Sequence, residues 1–276
     1  MKSSDFKYLF KPRSTAVIGA SNNKNKIGYK IVDNIIDSQY KGKLYPVNLK
    51  EENILGLPVY KSITEIKDEI DLACISIPAK YVFEAVKQCV AKKVKFVSII
   101  TSGFSEIGET KKEKEIVQYA RQLGVRILGP NVFGIYSAEG SINATFGPKN
   151  IKKGGVAILT QSGALGIALM GKTQTENIGL STIISLGNKA DINESDLLDY
   201  LARDDRTKLI FMYIEGLKNG RSFINALKKI TKIKPVIILK AGKSKRGALA
   251  ATSHTASLAG ENEVFNALMK QCGVIR

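Results

Sequence analysis

Residues 15–23 read Thr-Ala-Val-Ile-Gly-Ala-Ser-Asn-Asn, a short β-branched run that ends in a glycine and a polar loop. The run predicts a buried strand, and an amphipathic pattern from about residue 27 to 36, opened by Gly28, predicts the helix after it. In such a strand–loop–helix unit, backbone N–H groups and the helix start can approach a phosphate. Lys24 and Lys26 add full positive charges there. We therefore expect a phosphate-binding loop, with a tight turn that binds nothing as the alternative.

The same alternation of short apolar strands and helices continues outward from this unit. The first half is predicted to have strands at 15–19, 43–48, 71–77, 96–100 and 126–128, with helices at 27–36, 81–91 and 110–123. The second half is predicted to have strands at 156–159, 180–186, 209–214 and 236–240, with helices at 163–175, 195–202, 222–230 and 261–271. This order predicts an α/β fold with two parallel sheets and right-handed crossovers. We place the domains at residues 1–130 and 155–276, joined by a glycine-rich connecting segment at 131–154.

The amino-acid composition limits the kinds of protein that this chain can be. The chain has 276 residues, 44% of them hydrophobic, which is enough to bury a large core. It contains no apolar run long enough to span a membrane, and Met1-Lys2-Ser3-Ser4-Asp5 is unlike a secretory signal, so we expect a cytoplasmic protein. Three scattered cysteines and one histidine predict no metal site.

The formal net charge of +17 requires an explanation. Nucleic acid, a polyanionic small ligand and an acidic partner subunit would each balance it. Because the lysines are spread along the whole chain and no arginine-rich segment occurs, nucleic acid is the least favoured of the three, and we expect none to bind.

The ends of the predicted strands in the first half indicate which ligand the loop could hold. A NAD-binding domain needs a carboxylate at the end of its second strand, whereas this chain has Pro46-Val47-Asn48-Leu49-Lys50 there. A lysine suits a ligand with an extra phosphate on its ribose, which permits CoA or NADP. Because ligands gather at the carboxyl ends of parallel strands, the other strand ends are expected at the same crevice. These ends are Ser76-Ile77-Pro78, Thr101-Ser102-Gly103 and Gly129-Pro130-Asn131.

In the second half, the single histidine, His254, is a candidate for chemistry. It lies among small residues between Gly242 and Gly260, and the basic residues that precede it would suit a phosphate. A surface or core histidine without a catalytic role is the alternative. Gln161-Ser162-Gly163-Ala164 follows a strand and opens a helix, which predicts an anion site. Glu215 ends another strand and could hold one imidazole N–H, or could be an exposed charge at a strand end.

Taken together, these segments resemble the ADP-forming acetyl-CoA (acyl-CoA) synthetases and, more distantly, the α subunit of succinyl-CoA synthetase. The resemblance rests on Phe10-Lys11-Pro12-Arg13-Ser14, Ala16-Val17-Ile18-Gly19-Ala20-Ser21, Gly129-Pro130-Asn131, Thr160-Gln161-Ser162-Gly163 and Ser253-His254-Thr255-Ala256-Ser257-Leu258-Ala259-Gly260. It implies a Rossmann-like CoA-binding domain followed by a flavodoxin-like domain. It also implies a reaction in which acyl-CoA and phosphate give acyl phosphate, which then phosphorylates a histidine that passes the group to ADP.

The resemblance assigns roles to residues of this chain. His254 would carry the phosphoryl group, Glu215 would orient it, and Ser162, Gly163 and Ala164 would bind phosphate. Asn131 would lie near the thioester. CoA would be held by Gly19, Ala20, Ser21, Asn22, Lys26, Pro46, Asn48, Lys50, Ser76, Ile77, Pro78, Thr101, Ser102 and Gly103.

The chain also departs from the family pattern. It contains no ATP-grasp domain, so ADP or ATP with Mg²⁺ is expected on a separate β subunit in a hetero-oligomer. It stops at residue 276, where a further α/β domain usually follows, so it is either a short α subunit or a truncated one. Val132-Phe133-Gly134 stands where relatives often have a smaller residue, which leaves the acyl group open. A CoA-binding regulatory subunit without turnover and an NADP-dependent reductase remain as alternatives.

Overall fold

The computed structural model describes residues 3–242 and 262–276. His254 and most of the glycine- and serine-rich loop around it lie outside these ranges. In the described part of the chain, no helix is long and apolar enough to cross a bilayer.

The first half is a parallel sheet with helices between its strands, as predicted. Its elements are α1 Lys7–Phe10, β1 Ser14–Ile18, α2 Ile27–Asp37, β2 Lys43–Val47, β3 Asn53–Ile54, β4 Leu57–Pro58, β5 Leu72–Ile75, α3 Ala79–Ala91, β6 Phe96–Ile99, α4 Thr110–Gln122 and β7 Arg126–Leu128. The strand order is β2-β1-β5-β6-β7, and every pairing is parallel. All residues of β1 and β5 are buried, as expected for strands covered on both faces. The two-residue strands β3 and β4 form a small separate hairpin.

The second half repeats the alternation around a six-stranded sheet. Its elements are β8 Gly134–Ser137, β9 Ile142–Thr145, β10 Lys153–Thr160, α5 Gly163–Thr175, β11 Leu180–Ser185, α6 Glu194–Leu201, β12 Leu209–Ile214, α7 Gly220–Ile230, β13 Val236–Lys240 and α8 Asn262–Gln271. The strand order is β13-β12-β10-β11-β8-β9. The first four of these strands are parallel, as predicted.

The connecting segment differs from the prediction. No strand is predicted in residues 131–154, but this segment contains β8 and β9, which pair antiparallel with each other and add to the edge of β11. The prediction of a wholly parallel second sheet is therefore wrong at this edge. The physical reason is the short connection between β8 and β9, because a hairpin must run antiparallel, whereas a parallel pair needs a long crossover.

The two halves share one hydrophobic core. Val17 and Leu72 of the first half pack in the same cluster as Ile184 and Leu198 of the second. The ring of Phe10 stacks on Tyr200 with centroids 4.1 Å apart. As a result, strand ends of both sheets open into the same space between the halves.

Candidate functional site

A cavity of about 1250 Å³ lies between the two halves. Its walls come from the carboxyl ends of β6, β10 and β12, from one face of α4 and from the segment 187–190. The cavity brings together six residues that the sequence singled out: Ser102, Asn131, Ser162, Gly163, Ala164 and Glu215. Residues of both halves therefore line a common space.

The start of α5 forms one wall of the cavity. Ser162 is the N-cap of this helix, and its Oγ accepts a hydrogen bond from the backbone N–H of Leu165 at 3.3 Å. A Cβ added at Gly163 would meet no atom of the described residues within 4 Å, so there is open space above the first turn. The partial positive charge of a helix start, with N–H groups that have no partner in the helix, suits an anion.

Glu215 follows the last residue of β12 and lines the same cavity. It is only 5% exposed, which excludes the alternative of an exposed charge at a strand end. Burial is the main cause of a raised pKa for Tyr213, and the nearby Glu215 carboxylate raises this pKa further. The backbone N–H groups of Glu215 and Gly216 donate to Oε1 of Gln161, at 2.8 Å and 3.1 Å. The strand end that carries Glu215 is thus tied to the residue that precedes Ser162.

Sequence reasoning missed two buried polar residues at this wall, Lys189 and Glu194, and the contacts of a third, Gln161. Gln161 Nε2 donates to Glu194 and, at 2.9 Å, to the carbonyl oxygen of Gly216. Lys189 Nζ donates to Oε1 of Glu194 at 2.9 Å and to the same Gly216 carbonyl at 2.5 Å. Gln161 and Lys189 lie 55 and 27 residues from Gly216, and Gln161 lies 33 residues from Glu194, so no local sequence motif indicates these contacts.

The opposite wall holds a pair of carboxylates. The side-chain amide of Asn188 donates to Glu106 Oε2 at 2.5 Å and to Glu113 Oε2 at 2.8 Å. Ser105 Oγ donates to Glu113 at 2.7 Å. Burial alone would raise the pKa of Glu106, but hydrogen bonds from the backbone N–H of Gly103, the amide of Asn188 and the N–H of Phe104 hold it below its usual range. Ser102 and Gly103 were the only sequence signal for this wall.

The predicted phosphate loop lies at the carboxyl end of the first sheet, outside the lining of the cavity. Gly19 has a φ of +91°, and a Cβ there would stand 2.3 Å from the carbonyl oxygen of Ser76. A Cβ at Gly28 would stand 1.9 Å from the carbonyl oxygen of Gly19. Both glycines are thus required for the close approach of β1, β5 and α2.

The predicted strand ends do meet around this loop. Asn48 Nδ2 donates to the carbonyl oxygen of Ala20 at 2.7 Å, and Thr101 Oγ1 donates to that of Ile77 at 2.7 Å. Pro46 is buried in β2, and Pro78 occupies the N-cap position of α3. Lys26 and Lys50 are exposed. The residues predicted to share one crevice therefore lie at one edge of the sheet.

Glu51 is a loop contact that the sequence argument overlooked. Its Oε1 accepts from the backbone N–H of Asn22 at 3.0 Å and from Ser21 Oγ at 3.4 Å. The N–H of Asn22 is the first cause of a lowered pKa for Glu51, and Lys26 contributes to it. Residues 46–50 contain no carboxylate, but the chain turns back just beyond them and brings Glu51 to the loop. The absence of a carboxylate therefore gives no ground for excluding NAD.

The cysteines take no part in the cavity. Burial raises the pKa of both Cys74 and Cys89 to about 12, which keeps them as neutral thiols in the protein interior. Among residues 3–242 and 262–276, no group of three or more histidine, cysteine, aspartate or glutamate side chains is arranged to hold a metal ion.

Two family models match the chain. The model of a CoA binding domain matches residues 13–138, and the model of a succinyl-CoA ligase-like flavodoxin domain matches residues 153–276. The two fold types implied by the resemblance are thereby confirmed, in the expected order.

Individual relatives agree with these models. The chain is 52% identical to the α subunit of acetate–CoA ligase [ADP-forming] I of Pyrococcus furiosus, over 97% of this chain and 59% of that protein. It is 45% identical to the acetate–CoA ligase [ADP-forming] of Methanocaldococcus jannaschii, over 99% of this chain and 38% of that protein.

A solved structure is also similar. It is that of dinucleotide-forming acetyl-coenzyme A synthetase 1 of Ca. Korarchaeum cryptofilum in complex with phosphate and ADP. It superposes with a TM-score of 0.95 at 44% identity, over 98% of this chain and 59% of that chain. The chain thus spans about 59% of the length of the similar α subunit.

Proposed function

The chain belongs to the family of ADP-forming acetate–CoA ligases, in the part that matches their α subunit, and from this premise we propose that it transfers a phosphoryl group from acyl phosphate to a histidine. The observation that carries the proposal is the cavity in which the start of α5 and the buried Glu215 face residues of the CoA-binding half. An anion site and a carboxylate in a shared space are what formation of a phosphohistidine requires.

The proposed reaction has three steps. An oxygen of inorganic phosphate attacks the thioester carbon, the C–S bond breaks, and CoA leaves as a thiol after taking up a proton. The acyl phosphate then passes its phosphoryl group to a nitrogen of His254, which releases the carboxylate. ADP finally takes the group from phosphohistidine to give ATP.

The residues of this chain would divide the work between the two halves. The loop from Gly19 to Asn22 and the strand ends around it would bind CoA, and Asn131 would lie near the thioester. Ser162, Gly163 and Ala164 would hold the phosphate at the helix start. Glu215 would accept a hydrogen bond from one imidazole nitrogen of His254, which leaves the other nitrogen nucleophilic.

ADP and Mg²⁺ would be bound by a partner. We propose a β subunit with an ATP-grasp domain, in a hetero-oligomer with this chain. The relatives named as α subunits support a partnership of this kind. The acyl group itself is left open, because apolar pockets discriminate by only about 1–3 kcal/mol per methylene.

Labelling of the histidine tests the proposal. The chain, with any partner that copurifies, is incubated with acetyl-CoA and ³²P-phosphate, and acid-labile, alkali-stable label on the protein is measured. We expect label on the wild type and none on His254→Ala. Calorimetric titration should show binding of CoA and not of NADP. A wild type that binds CoA without becoming labelled would indicate a regulatory subunit instead.

The role of Glu215 is tested separately. Glu215→Gln should slow labelling of His254 by about a hundredfold, because the imidazole loses its charged acceptor, and should leave the Kd for CoA unchanged. Loss of CoA binding in this variant would contradict the proposed position of Glu215.

A further inference from the structure

We propose that Gln161, Lys189 and Glu194 form a positioning cluster that fixes the strand end carrying Glu215 against the helix start at Ser162. None of the three is assigned a role by the proposed reaction, on which this inference rests. They are positioning residues, since Glu215 and Ser162 would contact the substrates and these three would act through them.

The side chain of Gln161 makes the central contacts. Its Oε1 accepts from the N–H groups of both Glu215 and Gly216, at 2.8 Å and 3.1 Å. Its Nε2 donates to the Gly216 carbonyl oxygen at 2.9 Å and to the Glu194 carboxylate. One amide side chain therefore uses both of its polar atoms on the two residues that follow β12. Because Gln161 is also the residue before Ser162, it ties the two parts of the site directly.

Lys189 and Glu194 hold the same turn from beneath. Their side chains are 8% and 4% exposed, and Lys189 Nζ lies 2.9 Å from Glu194 Oε1. Nζ also donates to the Gly216 carbonyl oxygen at 2.5 Å. Burying two charges is costly unless they are paired and hydrogen-bonded, and both conditions hold here. A charge pair at the surface would avoid this desolvation cost. The burial of the Lys189–Glu194 pair beside Gly216 therefore points to a role in the site.

The backbone around Lys189 supports this reading. Lys189 has a φ of +52°, a left-handed conformation that residues with a Cβ rarely adopt. Non-glycine residues in such conformations cluster at functional sites. The neighbouring N–H of Asn188 donates to the carbonyl oxygen of Pro130 at 3.0 Å. The cluster thus connects β12 and α5 to the segment of the first half that carries Asn131.

These contacts have a kinetic consequence. Misplacement of a reacting group by about 1 Å can cost about a hundredfold in rate. Loss of the cluster would let the turn at Glu215 and Gly216 shift relative to the helix start, whereas CoA would still be held by the loop from Gly19 to Asn22, which lies outside the lining of the cavity. The effect should therefore fall on the rate of phosphoryl transfer and not on CoA affinity.

Four variants test the cluster: Gln161→Ala, Lys189→Met, Glu194→Gln and the double variant Lys189→Met/Glu194→Gln. We expect Gln161→Ala and Lys189→Met to label His254 about a hundredfold more slowly than the wild type, with the Kd for CoA unchanged within about twofold. The double variant should recover part of the rate lost in Lys189→Met, because it leaves no unpaired carboxylate beneath Gly216.

A matched control is Lys152→Met. Lys152 also donates from Nζ to a backbone carbonyl oxygen and to a side-chain oxygen, both of Asn177, but on the surface of the second half. Its labelling rate should equal that of the wild type.

Three results would overturn the proposal. The first is wild-type labelling rates in both Gln161→Ala and Lys189→Met. The second is joint loss of labelling, CoA binding and near-ultraviolet circular dichroism in all four variants, which would show a purely structural role. The third is a wild type that carries no label, which would contradict the proposed function as well and so is distinct from the other two.

Discussion

At the scale of single residues, Glu106 and Glu113 in the wall of the cavity are each held by several donors. Glu106 accepts hydrogen bonds from the N–H groups of Gly103 and Phe104 and from Asn188 of the other half. These bonds favour the charged form, so its pKa is lowered in the folded protein. A carboxyl group with a lowered pKa stabilises the fold at pH values above its unfolded pKa, and this stabilisation is lost as the pH falls through the folded value.

We predict that Glu106→Gln lowers the melting temperature at about pH 7, where the wild-type carboxylate is charged, and that the difference shrinks as the pH falls below about 4. Thermal unfolding followed by circular dichroism at several pH values measures this. Glu84→Gln is the control, because Glu84 forms an exposed pair with Lys87 on α3 and should change little at any pH. A difference that grows toward acid pH would show that the charged form of Glu106 is not the stabilising one.

Sequence reasoning at this scale found residues that motifs mark and missed those that only the fold brings together. Ser162 was predictable, since a serine between a strand and a helix is a common N-cap. Gln161 was predicted only as part of the anion-site segment 161–164, and its contacts with Glu215 and Gly216 were not predicted, because these partners are 54 and 55 residues away. The helix predicted at 195–202 runs from Glu194 to Leu201 and has Asn193 as its N-cap, so its predicted start was wrong by one residue. His254 lies outside the described residues, and its role stays a prediction.

At the scale of elements, α5 shows how a helix can carry a site while packing closely. Gly166 lies against the ring of Phe133, and a Cβ at this position would stand 2.2 Å from Phe133 Cε1 and 2.8 Å from Thr160 Cγ2. Gly171 lies in the same helix, where a Cβ would meet no atom of the described residues within 4 Å. Substitution of these two glycines by alanine is therefore expected to have opposite effects on stability.

We predict that Gly166→Ala destabilises the protein by about 1–3 kcal/mol, because the added methyl group forces Phe133 or the helix to move. Gly171→Ala should instead stabilise it by about 0.5–1 kcal/mol, through its higher helix propensity. Urea unfolding of both variants and of the wild type measures these changes in the free energy of unfolding. Equal effects of the two substitutions would show that the contact between Gly166 and Phe133 is not restrictive.

Most elements were predictable because their apolar periodicity is regular. The strands at 126–128, 209–214 and 236–240 and the helix at 163–175 coincide with the predicted ranges. The strands β8 and β9 were missed, because the four glycines of the connecting segment at 131–154 are typical of a loop. β8 and β9 are four residues each and complete an existing sheet, so tertiary pairing decides their conformation.

At the scale of the whole molecule, charged contacts join the two halves across their shared core. Asp191 of the second half accepts from Arg126 Nε at 2.8 Å and from the backbone N–H of Ile127 at 2.9 Å. Its side chain is fully buried, and that of Arg126 is 14% exposed. Buried contacts of this kind make the halves depend on each other for stability.

We predict that Asp191→Ala costs about 3 kcal/mol or more, because it leaves a mostly buried guanidinium and a buried N–H group without their acceptor. Guanidinium chloride unfolding followed by far-ultraviolet circular dichroism suits a chain without tryptophan. Glu176→Ala, which breaks an exposed pair with Lys172, should change stability by less than about 0.5 kcal/mol. A loss below about 1 kcal/mol in Asp191→Ala would mean that the halves are held together mainly by apolar contacts.

The hairpin of β8 and β9 determines where the gene can be divided. The match to the CoA-binding model ends at residue 138, and the match to the flavodoxin-like model begins at residue 153. A fragment that ends at residue 138 would therefore contain β8 without β9. A fragment that begins at residue 153 would also leave the edge of β11 without its neighbour, and unpaired edges promote aggregation. Meanwhile Asn34 of α2 donates to the carbonyl oxygens of Thr145 and Gly147, at 2.8 Å and 2.9 Å, so the first half would lose contacts as well. Recombinant expression of either half should keep residues 134–145 together with β11. Halves that are expressed separately are expected to aggregate.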